Sequence, residues 1–234
     1  METNILTLPP ILKLKLDLTS EQFWQLCQEN HDFRFERTNS GELIIMPPTG
    51  GNTGKRNVKI TTQIDLWNSK TRLGEVFDSN TGFTLPNGAG NTGKRNVKIT
   101  TQIDLWNSKT RLGEVFDSNT GFTLPNGADR APDASWVSRE RWESLTPEQQ
   151  DKFVPLCPDF VVELMSPSDS LEKTRQKMQE YQENGAKLGW LINRKQQQIE
   201  VYRLHQDVEI LEYPNQVSGE DILPGFILDL TSIW

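Results

Sequence analysis

One stretch of this chain is written twice. Residues 51–89 read GNTGKRNVKITTQIDLWNSKTRLGEVFDSNTGFTLPNGA, and residues 90–128 repeat them letter for letter. This limits the fold more than any composition figure does, because a packed core has a place for each element once. Solenoid repeats drift apart in sequence and need several copies to build a core, so two identical copies do not read as a solenoid. Counting the block once, the 234 residues leave about one ordinary domain's worth of sequence. The expectation is a single domain over 1–234, with 51–89 and 90–128 as tandem copies and one of them an insertion.

Within a copy the pattern is helix, then strand. Ile60, Ile64 and Trp67 fall at i, i+4 and i+7, one face of a helix. Leu73-Gly74 closes it, with Gly74 as the expected C-cap. EVFDSNTGFTLPNG follows, rich in β-formers and ended by the turn signal Pro86-Asn87-Gly88. The block is locally basic, with Lys55, Arg56, Lys59, Lys70 and Arg72 against Asp65, Glu75 and Asp78.

The flanking sequence supplies the remaining elements. Residues 19–30 form an amphipathic helix capped by Thr19 or Ser20. FRFERTNSGELIIMPP reads as a hairpin, with Phe33 and Phe35 alternating, a turn at Asn39-Ser40-Gly41, and Leu43 to Met46 as a buried strand. After the block come a strand in ADRAPDASWVS, a helical excursion in RERWESLTPEQQDKF and a buried strand in DFVVELMSPS. SLEKTRQKMQEYQENG is a helix between Ser170 and Gly185, and LGWLINRKQQQIEVYRL with DVEILEYP forms a closing hairpin. The fold class is α+β, a central mixed sheet flanked by helices.

Charge and cysteine content narrow the function. The formal net charge of −7 argues against bulk nonspecific nucleic-acid binding, but leaves room for a nuclease whose acidic site needs metal ions. No apolar run reaches the length of a membrane span, and the first residues lack the order of a signal peptide, so a cytoplasmic location with no membrane partner is expected. Cys27 and Cys157 offer neither metal spacing nor a disulfide framework. His31 and His205 are isolated, and Trp190 in LGWLI reads as core. The junction Gly88-Ala89-Gly90-Asn91-Thr92-Gly93-Lys94 matches G-x-x-x-x-G-K, but Arg95 stands where a P-loop needs Ser or Thr.

Two carboxylates stand out. Asp133 in APDASWV and Glu163 in DFVVELMSP sit in or beside strands that otherwise read as buried. An ionised carboxylate in a core strand is costly unless a cation meets it. Two such groups with a backbone carbonyl and waters suit a hard octahedral ion such as Mg²⁺ (or Mn²⁺). The helix after Glu163 carries Lys173, Lys177 and Tyr181 on one face, and a lysine near a scissile phosphate stabilises developing charge. The plain alternative is that Asp133 ends a turn after Pro132 and Glu163 pairs with the lysine face.

SGELIIMPPTG, GFTLPNGADRAPDASWVSRERW, CPDFVVELMSPSDSLEKTRQKMQEYQENGAKLGWLINR and LPGFILDL together resemble the Uma family of restriction-endonuclease-fold proteins. The resemblance covers nearly everything from about residue 21 to 234, counting one copy of the block. It implies a PD-(D/E)XK core and a metal-dependent nuclease acting on nucleic acid, DNA above all. The competing reading is a non-catalytic domain that keeps the fold and binds nucleic acid or protein. On the family pattern Asp133 is the motif aspartate and Glu163 the glutamate of the E-x-K strand. Met165 stands where that pattern has lysine, so the lysine moves to the next helix, with Lys177 as candidate and Lys173 as alternative. Glu42 matches an acidic position of the family and is a further candidate metal or water contact; as a plain residue it faces solvent after a turn. Dimers are common among nucleases of this fold, so a homodimer, including one swapped through the duplicated block, is a candidate assembly, and the sequence leaves the oligomeric state open.

Asp133, Glu163 and Lys177 all follow the doubled block, so one copy suffices. Residues 124–127 run straight into the Asp133 strand, and a short hairpin closes at lower entropic cost than an interrupted one. The second copy's strand is therefore expected in the sheet. The extra copy should pack on the surface, be partly disordered or swap into another protomer, and leave the chain less stable than a single-copy version.

Overall fold

The computed structural model describes residues 12–30, 34–38, 40–79, 81, 91–166 and 169–234. His31, Phe33, Asn39, the first copy's closing turn at 85–88, the 88–90 junction and Ser168 lie outside them. The chain divides into two compact units, 1–48 and 49–234.

The N-terminal unit is a helix and a small antiparallel sheet. Strand β1 (Leu12–Lys15) precedes helix α1 (Ser20–Glu29), which starts at a capping box in which Thr19 and Gln22 satisfy each other's backbone N–H. Strands β2 (Arg34–Arg37) and β3 (Glu42–Met46) form the expected hairpin, and Gly41 takes the positive φ of 81° that its turn requires. β1 adds to the other side of β3, a pairing that LKLK gave no reason to expect.

The C-terminal unit begins with the two block helices, α2 (Gly51–Thr71) and α3 (Asn91–Thr110). Next come β4 (Gly113–Asp117), the short pair β5 (Phe122–Thr123) and β6 (Asp129–Arg130), then β7 (Ala134–Ser138). Two short helices, α4 (Arg139–Glu143) and α5 (Pro147–Asp151), lead to β8 (Phe160–Leu164). Helix α6 (Leu171–Glu183) crosses over to β9 (Leu188–Asn193), which turns into β10 (Gln198–Arg203) and β11 (Glu209–Glu212). A last hairpin, β12 (Gln216–Ser218) with β13 (Ile227–Asp229), closes the chain.

Six strands form the central sheet in the order β11-β10-β9-β8-β7-β4. Only β8 and β9 run parallel, and α6 is the crossover that such a pair demands. Strand alternation splits the core in two. Phe160, Val162 and Leu164 face one layer with Ile99, Ile103, Trp190 and Phe226, while Val161 faces the other with Met178, Tyr181 and Trp142. Trp190 is fully buried against Phe160, ring centroids 4.7 Å apart.

The two copies take different places. The second copy's strand is β4, paired with β7, and its helix α3 buries Ile99 and Ile103 in the core. In the first copy, Ile60, Ile64 and Trp67 on the expected apolar face are exposed, and residues 75–79 form no strand. The helix ends also depart from expectation. The left-handed residue is Arg72 (φ 53°) in one copy and Arg111 (φ 54°) in the other, not the glycine two places on. Asn68 and Asn107 make this possible by hydrogen-bonding both backbone groups of Gly74 and Gly113.

Candidate active site

The site is built where β7, β8 and α6 meet. β7 and β8 are antiparallel with Ala134 opposite Val162, so one further step sets Asp133 opposite Glu163. Pro132 lacks an N–H to donate to the ladder, so the strand ends there and the Asp133 carboxylate turns to its neighbours. One oxygen accepts from the Leu164 N–H at 2.7 Å and the other from the Asn96 amide at 2.9 Å. Glu163 sits in a strand that is buried at every position, so the sequence there is unbroken apolar apart from this residue.

Lys177 arrives from the second full turn of α6. Its ammonium lies 2.9 Å from the Glu163 carboxylate and donates to the Ala131 carbonyl at 3.2 Å. Tyr181, one turn further along the same face, donates its hydroxyl to Glu163 at 3.2 Å. The Ser170 side chain caps the helix and sets its register. Lys173 is exposed on the preceding turn. Met165, two places after Glu163, packs into the core layer behind α6, so the cation comes from the helix.

Electrostatics separate this pair from a structural carboxylate nearby. Burial, and then the Glu163 charge, push Asp133 up to about 7, against the Leu164 N–H, Lys177 and Asn96. Burial likewise holds Glu163 above the ordinary glutamate range despite Lys177 and Tyr181. Asp159, at the start of β8, is also buried, yet it lies below the usual range. There Lys187 at 2.8 Å, the Ser138 N–H at 2.9 Å and Arg141 at 3.1 Å outweigh the desolvation. Asp159 is an ion-paired structural anion, whereas Asp133 and Glu163 share too little positive charge.

Sequence reasoning missed Asn96, which donates to Asp133 and, at 3.2 Å, to Asp78 of the first copy. Its only signal was a polar residue at a buried position of the block helix. Glu42, by contrast, lies in the N-terminal unit at the start of β3, opposite Lys15 and 3.9 Å from Lys13. Among the described residues, no group of three or more His, Cys, Asp or Glu side chains gathers to hold a metal.

An α+β fold with a mixed six-stranded central sheet flanked by helices is the architecture of a restriction-endonuclease-like protein. The profile of the Uma2 family, described as "Putative restriction endonuclease", matches residues 20–92 and 86–231, and the chain belongs to that family. The two matched stretches overlap at residues 86–92, inside the doubled block. Among solved structures, the chain is similar to a nuclease of the DUF820 group from Anabaena variabilis ATCC 29413, itself titled "putative". The two share 20% identity, with 70% of this chain and 94% of that one covered and a TM-score of 0.54. No curated protein matches. No helix among the described residues is long and apolar enough to cross a membrane.

Proposed function

We propose that the protein is a metal-dependent phosphodiesterase of the PD-(D/E)XK type that hydrolyses nucleic acid, with DNA as its substrate. The observation that carries this reading is the Asp133–Glu163 pair, two carboxylates held above their usual proton affinity beside a single lysine. Family membership supports the same chemistry.

The donor set fits a hard divalent ion. Two carboxylates from neighbouring strands repel each other, and a cation between them relieves that repulsion. Among the described residues no third acidic side chain gathers with these two, so the rest of the shell falls to backbone carbonyls, water and substrate phosphate, as Mg²⁺ or Mn²⁺ accepts. When bound, the ion supplies charge neutralisation at the phosphate and lowers the pKa of water.

The chain's own residues do the rest. Asn96 and the Leu164 N–H fix the Asp133 carboxylate, and Tyr181 fixes Glu163. Lys177, held by Glu163 and the Ala131 carbonyl, presents a positive charge to the phosphoryl oxygens as water attacks phosphorus and the P–O bond to the leaving alcohol breaks.

The second reading, a binding domain without catalysis, draws on one observation: Lys177 already closes on Glu163 at 2.9 Å. The test is cleavage of single-stranded, duplex and branched DNA with Mg²⁺, Mn²⁺ or EDTA, beside Glu163→Ala. Metal-dependent cutting that Glu163→Ala abolishes supports the enzyme. DNA binding without cutting under every condition favours the binding domain.

A further inference from the structure

The two copies of the block touch each other reciprocally. Lys59 pairs with Asp104, and Lys98, the same residue one copy later, pairs with Asp65. Lys55 lies 3.6 Å from Glu114, and Lys94 lies 3.6 Å from Glu75. Ser79 donates to Asp117 at 2.6 Å, and Ser118 donates to Asp78 at 2.7 Å. Asn57 donates to Asp117 and Asn96 to Asp78, each at 3.2 Å. A Cβ on Gly54 would sit 1.6 Å from the Thr120 hydroxyl, and one on Gly93 would sit 1.6 Å from the Thr81 hydroxyl. Each contact has its twin with the copies exchanged, the signature of a two-fold, self-complementary interface.

Such an interface cannot close within one copy. Lys98 and Asp104 lie on one helix six residues apart, about 9 Å along the axis and roughly 240° around it, so they point away from each other. Each needs a second helix running the other way. The Asp65 and Asp104 side chains are only 5% and 3% exposed, so neither is left to water. The first copy also reaches the candidate site, since its Asp78 holds the Asn96 that holds Asp133.

We propose that the tandem block is an internal form of a two-fold interface, so that the full chain is a monomer and a chain with one block pairs with a second copy of itself through these contacts. Because the copies are identical, deleting 51–89 or 90–128 yields the same single-block chain. None of this depends on the nuclease reading, and its test reads mass and melting, not cleavage.

Light scattering on purified protein is the experiment. The full chain is expected at the mass of one chain and the single-block chain at twice its own. In the single-block chain Lys98→Glu should give monomers, by setting two acids face to face, and Asp104→Lys added to it should restore the dimer. A folded single-block monomer, or a full chain that is itself a dimer, overturns the proposal. Should the single-block chain fail to fold, the full chain decides. Lys59→Glu should lower its melting temperature by several degrees and Asp104→Lys should recover it, whereas melting unmoved by Lys59→Glu overturns the proposal.

Discussion

In the second copy of the block Ile99 and Ile103 are fully buried, while Ile60 and Ile64 at the same places in the first copy are 57% and 46% exposed. Trp106 packs edge-on against Trp136 at 5.9 Å and meets Phe226, while its twin Trp67 is 54% exposed. Both copies form long helices, so local propensity was satisfied twice. The face that carries the two isoleucines was buried once, in the copy whose strand pairs with β7. What α2 keeps buried is Gly51, Gly54, Val58, Thr62 and Asp65, and Gly93, Val97, Thr101 and Asp104, twins of the last four, are buried too. Thus one stripe of the helix serves the pairing of the copies, and a second serves the sheet in α3 alone.

The sharpest way to break this comparison is to make the same substitution in each copy. Ile103→Ala should cost about 2–5 kcal/mol, as a buried isoleucine truncation does. Ile64→Ala should cost under about 1 kcal/mol, as for a surface change. Urea midpoints read the difference. Equal losses would mean that the copies exchange places in solution.

Glycine makes the same point at smaller scale. A Cβ on Gly113 would lie 2.2 Å from the Val137 carbonyl and 2.5 Å from the Trp136 ring, while a Cβ on Gly74 would meet nothing within 4 Å. Gly113→Ala should therefore destabilise by about 1–3 kcal/mol through overpacking. Gly74→Ala should stay within about 0.5 kcal/mol of the parent. Thermal melts of the two variants test this, and a cost at Gly74 would place the first copy's strand residues in the core after all.

The asparagines separate the copies by function. Asn96 holds Asp133, whereas Asn57 holds Asp117. With its folded value raised to about 7, Asp133 binds its proton more tightly folded than unfolded. Its contribution to stability is then present at low pH and is lost as pH rises from about 4 through about 7. Metal-free protein should lose melting temperature across that window. Cleavage should rise across it, because the charged form is the one that holds a cation. Asn96→Ala removes a hydrogen bond that lowers the Asp133 value, so the rising limb should move to higher pH, while Asn57→Ala should leave it in place. A rate profile that both variants move equally would tie the shift to the pairing and not to Asp133.

Much of this was legible in the sequence, for identifiable reasons. Long periodic segments and strong caps were plain: Thr19, Ser170 and the unbroken apolar run around Glu163 gave α1, α6 and β8. Asp133 and Glu163 were conspicuous as charge inside a buried pattern, and helical spacing put Lys173, Lys177 and Tyr181 on one face, whereas the choice of Lys177 over Lys173 came from the family resemblance. β1 was not legible, since LKLK gains strand structure only from a neighbour distant in sequence. The left-handed Arg72 and Arg111 escaped because an asparagine four residues earlier in each copy satisfies the turn that glycine usually makes. No sequence signal could reveal reciprocal pairing between identical copies, for every residue in it is equally consistent with pairing to its own copy.

The smallest expected difference between the copies lies midway between the reciprocal ion pairs. Thr62 and Thr101 are twins, each 5% exposed, and among the described residues neither hydroxyl has a hydrogen-bond partner. A buried hydroxyl without a partner carries its full desolvation cost, so Thr→Val at either position should stabilise by about 1 kcal/mol. Lower helix propensity does not cancel this, because valine and threonine rank together. The gain should be the same at both positions, since both belong to the shared stripe and not to the sheet face that distinguishes α3. Urea unfolding of Thr62→Val, Thr101→Val and the double variant measures it. A gain confined to Thr101 would mean that α2 does not pack as a twin of α3, and a double variant well short of the sum would place both hydroxyls in one shared contact.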